Sequence, residues 1–347
     1  MKKLESVDYL RGLSISTIIL YHLVAFFLNT MTIIKKASAF GGAGVHVFFV
    51  LSGFGLTLSY YNKTKNHKQF LIGRFQKVYI SYIFVIIISA ITTYMYNGGD
   101  KLNAFFSHVF LYKMFNENYV DSFGIQFWFV STLFQFYFTY YLLMKIKDKI
   151  KNNKIFWGLS CLISFVYAIT ISVLHLSEYR IASSFFLQYL WELVLGIVLA
   201  DRYLAGNKID IKNKILIPII TAISFAIYCV LALKGGWFKN FNDPFALISY
   251  LGIAYMLYKI PFFKKVCVKV SNFSFEMFLL HYLIFKTVFL MDFLPNYLLC
   301  IISLILTMIL AILYKKIFKM KGRVNSEKSN VNFWNKTRSN KDVSISK

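Results

Sequence analysis

The sequence predicts an all-α fold, a polytopic integral membrane helix bundle of about ten transmembrane helices. Three observations carry that prediction. The chain is 58% hydrophobic and 19% aromatic, and its apolar residues arrive in blocks instead of being dispersed among polar ones. Residues 13–34, 78–96, 155–174, 215–233 and 297–314 are such blocks, each close to the roughly 20 helical residues that cross a hydrocarbon core. Helices and closed barrels alone satisfy their own backbone groups in lipid, and these runs are too long and continuous for alternating barrel strands. The third observation is charge. A net charge of +24 would suit a nucleic-acid partner, but the lysines and arginines sit in the gaps between apolar blocks.

Taken in order, the predicted spans are 11–30, 43–60, 75–96, 126–144, 155–176, 181–200, 215–233, 243–258, 272–290 and 296–318. With both termini inside, about 31 of the 39 lysines and arginines fall in the inner segments. That asymmetry is the positive-inside pattern, and it predicts a multi-pass protein of the cell membrane with cytoplasmic N- and C-termini. The basic start runs into a full apolar span with no clear small-residue cleavage site, so no cleaved signal peptide is expected. Cys161, Cys229, Cys267 and Cys300 are scattered, so neither a structural disulfide nor a metal site is expected. Residues 97–125 form the longest outer segment, with the composition of a short amphipathic hairpin lying on the outer face. The organisation is one membrane domain, 1–318, followed by a polar basic tail, 319–347, expected to be cytoplasmic and disordered.

Ionisable residues inside a membrane are costly, which makes them candidate functional groups. Arg11 and His22 are eleven residues apart in the first span, almost three full helical turns, and so share one face. They are roughly 16 Å apart along the axis, with Arg11 at the cytoplasmic rim and His22 near mid-membrane. The pair reads equally as a functional stripe or as a snorkelling arginine and a core histidine. Arg74 and Lys77, three apart at the start of span three, are helix neighbours that would join Arg11 at the inner rim. They suit either a positive-inside anchor or a phosphate clamp. Span two carries Gly41, Gly42, Gly44, Gly53, Gly55 and Ser52, which read first as a close-packing face. His46 lies near its outer end, where an ordinary interfacial histidine is the simple reading. Glu192 in span six and His281 in span nine are buried ionisable candidates, and Ser131, Thr132 and Gln135 read as interhelical polar glue.

Together these segments resemble the membrane-bound acyltransferase family 3, the bacterial glycan O-acyltransferases. The resemblance runs from about residue 4 to 315. Its marks, in order, are Arg11 with His22, the GVHVFFVLSGF stretch from Gly44 to Phe54, and the basic pair Arg74 and Lys77. They continue with a Trp-led aromatic helix, Trp128 and Gln135 to Tyr137, and close with Ser274 and Leu279 to His281. The resemblance implies an acyltransferase that takes an acyl group, commonly acetyl, from cytosolic acyl-CoA to a hydroxyl of an exported or envelope glycan. It implies His22 as the catalytic residue, with Arg74 and Lys77 beside the coenzyme phosphates. The donor is a substrate, and no permanently bound cofactor is expected.

The chain also departs from the family pattern. His46 stands where an acidic residue is usual, Lys77 where arginine is usual, and Tyr79 where proline is common. Leu133 and Phe134 occupy the places of two glutamates in the fourth span. If those glutamates position the acceptor, this chain has another arrangement or another acceptor. Two readings from other classes compete, a lipid or glycan exporter and a non-catalytic subunit of a polysaccharide-synthesis complex. Acyl-CoA binding separates the first from an enzyme. Glycan acylation that survives loss of His22 would mark the second.

Overall fold

The computed structural model describes residues 4–28, 32–61, 67–96, 98–207, 214–291 and 294–318. The predicted tail and its boundary therefore lie outside the described residues. The chain folds as helices α1 (Glu5–Phe27), α2 (Thr32–Ser38), α3 (Gly44–Tyr61), α4 (His67–Arg74) and α5 (Ile80–Ile91). Next come α6 (Lys101–Val109), α7 (Trp128–Ile150), α8 (Asn153–Val173), α9 (Arg180–Ser183) and α10 (Leu190–Leu204). The last are α11 (Leu216–Lys234), α12 (Asp243–Tyr258), α13 (Pro261–Val270), α14 (Ser274–Phe289) and α15 (Asn296–Phe318).

The all-α class is as predicted, and a helix lies at each of the ten predicted spans. Length and apolarity qualify six of them to cross a membrane, or seven when α12 and the stretch Pro261–Phe289, bent by 115°, count as one span. Of the other four, α7 has 23 residues and falls short in apolarity, and three fall short in length. Helices α10, α12 and α14 have 15, 16 and 16 residues, about 24 Å at most against a hydrocarbon core of about 30 Å. Polar groups turn inward and apolar ones outward: α11 buries Thr221 and Ser224 while Ile219, Ile220, Ile223 and Leu233 are exposed. Such a face suits lipid tails.

Helix α1 belongs to both hydrophobic cores. Ile15, Ile19 and Leu23 pack into one with Phe49, Tyr82, Leu193 and Phe285, and Tyr9 and Leu13 into the other with Val47, Leu247 and Tyr250. Helices α3 and α10 meet backbone to backbone. A Cβ on Gly53 would lie 2.0 Å from the Leu193 carbonyl oxygen, and one on Gly196 would lie 2.0 Å from that of Val50. Gly41 and Gly44 press in the same way on α1 at Thr17 and Ser14, whereas Gly42 and Gly55 face open space. Close packing therefore accounts for three of the five span-two glycines.

The segment between α5 and α7 is not a hairpin resting on the surface. It folds inward around buried polar groups: His108, Lys113 and Ser122 have no exposed surface. The Ser122 hydroxyl donates to the Tyr119 carbonyl, so it accepts from His108 Nε2 at 2.8 Å, and His108 Nδ1 accepts from the Tyr82 hydroxyl. Lys113 Nζ donates to the carbonyls of Ser122 at 2.9 Å and Gly124 at 3.0 Å. Gly124 holds φ +139° there, a region open to glycine. Burial pushes the Lys113 amine down to about 7, with Arg180 adding to the shift and Asp121 opposing it. Burial, then the Lys113 charge, pushes His108 well below its usual range.

Both groups shed protons on folding, so the unfolded chain binds more protons and stability rises with pH. The His108 contribution grows up to about pH 6.5 and that of Lys113 from about 7 toward its unfolded value near 10.4. Protease nicking of this segment in the detergent-solubilised protein is expected to slow steadily from pH 5 to pH 9. In Lys113→Met, the part of that slowing above pH 7 should vanish. Equal rates across the range would contradict the buried network.

Candidate functional site

Because α1 is one unbroken helix of 23 residues, Arg11 and His22 do share a face, roughly 16 Å apart. Arg11 pairs with Asp8 at 3.5 Å. Arg74 closes α4, and Lys77 sits in the single π turn, Phe75–Tyr79, that joins α4 to α5. Turns of this kind recur at functional sites. The charges of Arg74, Arg11, Glu276 and Lys315 all reach Lys77, so the predicted rim cluster forms and gains one more cation from α15. Lys77 is exposed and Arg74 half-buried over the Phe70 ring, which leaves the cluster accessible.

His22 lies five residues before the end of α1, about 8 Å from that end and so farther from Arg11's end than from its own. Its ring is 5.1 Å from that of His281, centroid to centroid, and 6.2 Å from Tyr282. Helix α14 runs alongside α1 in the same sense, with Phe285 and Phe289 against Phe26 and Phe27. His281 is fully buried, and its Nδ1 lies 2.8 Å from the Phe278 carbonyl and 3.1 Å from that of Met277. A carbonyl oxygen only accepts, so Nδ1 carries the proton and Nε2 presents a lone pair. That Nε2 is buried and has no partner among the described residues. Two histidines that spacing treated separately thus form one unit beside a vacant acceptor.

His46 is not an interfacial histidine. Its Nδ1 lies 2.8 Å from Glu192 Oε1 and its Nε2 3.7 Å from Asp243 Oδ1. Gln188 donates to the other Asp243 oxygen at 2.9 Å. This meets part of the cost of burying Glu192, whose side chain is inaccessible and whose Oε2 has no partner among the described residues. The Gly53–Gly196 contact makes the pair possible by letting α3 lie directly on α10. These three groups offer ligand atoms within 4.8 Å of one another. The two ring nitrogens face different carboxylates, however, which suits a hydrogen-bonded relay better than chelation of a metal ion.

Gln135 accepts from the Phe186 backbone N–H at 3.0 Å and Thr132 donates to the Ser184 carbonyl at 2.6 Å, tying α7 to the segment before α10. The fate of the missing glutamates is also visible. Leu133 and Phe134 are buried, with Phe134 against Phe75, Tyr79 and Tyr137, so those positions are apolar core. Ser52 is half-buried on α3. Trp128 stacks under a residue that the sequence reading passed over: the Arg180 guanidinium lies 4.6 Å from its ring centre. The signal that could have found Arg180 was its place among the few cations outside the inner segments.

A family model described as an acyltransferase domain matches residues 4–316, nearly the whole described chain. The chain belongs to this family of membrane acyltransferases, as its first-helix pair and later segments suggested. A relative, the peptidoglycan O-acetyltransferase OatA of Listeria monocytogenes, is 28% identical over 195 residues, covering 50% of this chain and 29% of the relative. The match therefore spans less than a third of that relative's length. No solved structure matches.

Removing one partner of a buried ion pair costs about 3–5 kcal/mol, whereas replacing both by apolar groups can be nearly neutral. His46→Leu is therefore expected to lower unfolding stability in detergent by about that amount, and a second change, Glu192→Leu, to recover part of it. Losses that simply add in the double variant would show that the two residues are uncoupled.

Proposed function

We propose that this acyltransferase moves an acyl group, acetyl in the first instance, from acyl-CoA bound at the cationic end of α1 to a glycan hydroxyl at the His22 end. The observation that carries this reading is the placement of Arg11, Arg74, Lys77 and Lys315 at one end of the helix whose other end bears His22 beside His281. Coenzyme A is polyanionic and stays out of lipid, so cations at a membrane rim hold its phosphates by charge-assisted hydrogen bonds. Its long pantetheine arm covers the roughly 16 Å to His22. The basic asymmetry of the loops supports a cytoplasmic side for the cationic end and for both termini, in the cell membrane. The acceptor then lies on the outer side, as a hydroxyl of an exported or envelope glycan. A peptidoglycan-type acceptor, the substrate in the name of the matched relative, is the first to try.

In the transfer step a neutral His22 takes the proton of the attacking hydroxyl as its oxygen bonds to the thioester carbon. Collapse of the adduct breaks the C–S bond, and the proton passes from His22 to the coenzyme sulfur. His281, fixed by its own backbone carbonyls, holds the His22 ring from one side. The family's two glutamates are not part of this arrangement.

Purified protein is expected to bind acetyl-CoA saturably, and the Arg74→Ala, Lys77→Ala double variant to bind it at least about tenfold more weakly, as loss of charged hydrogen bonds implies. His22→Ala should keep that binding and lose ester formation on the cell's envelope glycan. Undiminished glycan acylation by His22→Ala would remove His22 from the chemistry. Absence of acetyl-CoA binding in the wild type would favour an exporter.

A further inference from the structure

Attack on a thioester carbonyl pushes an electron pair onto its oxygen, and acyl-transfer sites meet that charge with a preorganised donor. Of the groups already described, neither His281 nor Lys113 supplies one. His281 directs its one N–H at backbone carbonyls and presents only a lone pair from Nε2. Lys113 is engaged with two carbonyls.

Arg180 is different. Its charge reaches His22, and its Nε is buried without a hydrogen-bond partner among the described residues. No ion pair among the described residues includes it. A buried N–H on a permanent cation, left without an acceptor, is expensive to maintain unless a ligand completes it. The surroundings fix the group in place without neutralising it. The Arg180 guanidinium carbon lies 4.6 Å from the Trp128 ring centre, a cation–π contact. Glu117 acts on the backbone: its two oxygens accept from the N–H groups of Arg180 at 2.9 Å and Ile181 at 3.1 Å. The segment 98–127 therefore anchors the short helix that carries the arginine, and Trp128 at the head of α7 sets the angle of its side chain.

We propose that Arg180 is a catalytic residue of the transfer, its guanidinium donating to the carbonyl oxygen as that oxygen becomes an oxyanion beside His22. This rests on the acyl-transfer reading above. The hydroxyl oxygen bonds to the carbonyl carbon, its proton goes to His22, and the displaced π pair resides on the oxygen held by Arg180. Return of that pair expels the coenzyme sulfur, which takes the proton from His22. Arg180 stays protonated throughout and exchanges no proton.

The test follows radiolabelled acetyl from acetyl-CoA into endogenous envelope glycan in membranes that contain the full-length chain. Wild type, Arg180→Gln, Arg180→Lys and His22→Ala are compared over a range of acetyl-CoA concentrations, and acetyl-CoA binding is measured on each purified protein. Arg180→Gln should lower kcat by roughly 100- to 1000-fold, the usual cost of one lost oxyanion donor. Its KM and acetyl-CoA affinity should stay within about threefold of wild type, because the interaction exists only in the transition state. Arg180→Lys, which keeps the charge and loses the fork, should retain more activity than Arg180→Gln. A near-normal kcat in Arg180→Gln, with His22→Ala inactive, would overturn the role of Arg180 and leave the acyl-transfer reading standing. A raised KM or lost acetyl-CoA binding in both arginine variants would also overturn it, since the arginine would then serve the donor or the fold. No transfer by the wild type would overturn the acyl-transfer reading, and this proposal with it.

Discussion

A helix in hydrocarbon cannot release its backbone hydrogen bonds to water, and α1 turns that restriction into a ruler. Eleven residues of unbroken helix keep Arg11 and His22 on one face and a set distance apart, and the rest of the bundle is organised around the two ends of that face. At one end α4, its π turn, α14 and α15 bring Arg74, Lys77, Glu276 and Lys315 within electrostatic reach of one another. Toward the other, α14 follows α1 in the same direction and sets His281 against His22. A kink in α1 would separate these ends in angle as well as distance, and neither cluster would then address the same ligand.

The second demand is that ionisable groups taken into this interior find partners. Glu192 has His46, His108 has Ser122 and Tyr82, and Lys113 has two carbonyls. These pairings are long in sequence and depend on close approach of backbones, as at Gly53 and Gly196. Among the buried polar atoms without a partner, which also include Glu192 Oε2 and both side-chain polar atoms of Gln126, are His281 Nε2, whose ring lies against His22, and Arg180 Nε, whose charge reaches it. An unpartnered acceptor and an unpartnered donor serving one histidine are what an attacking hydroxyl and an acyl carbonyl would engage.

The helical class, the presence of a helix within each predicted span and the gathering of Arg11, Arg74 and Lys77 were legible in the sequence, because hydropathy and charge act locally along a chain, whereas the number of helices able to cross a membrane was not. The Arg11–His22 face was legible too, since it depends on helical period alone. The His46–Glu192 pair was not: 146 residues separate the partners, and no local signal says which helix α3 will touch. Residues 97–125 looked like an amphipathic surface hairpin because they mix aromatic with polar residues, yet His108, Lys113 and Ser122 satisfy one another or nearby carbonyls and so become buriable. Arg180 was visible as a charge but not as a site, since only the fold reveals that Trp128 and Glu117 meet there. Gly42 and Gly55 show the opposite failure: a close-packing pattern included two glycines that touch nothing.

The central claim is that one face of α1 joins a donor site at its Arg11 end to a transfer site at its His22 end. Sealed proteoliposomes with the chain in one orientation test it most directly. Envelope glycan is enclosed on the His22 side, and labelled acetyl-CoA is supplied only to the side bearing Arg74 and Lys77. The account predicts labelled ester on the enclosed glycan and free coenzyme A left outside. Label that appears only when donor and glycan share a compartment would contradict it.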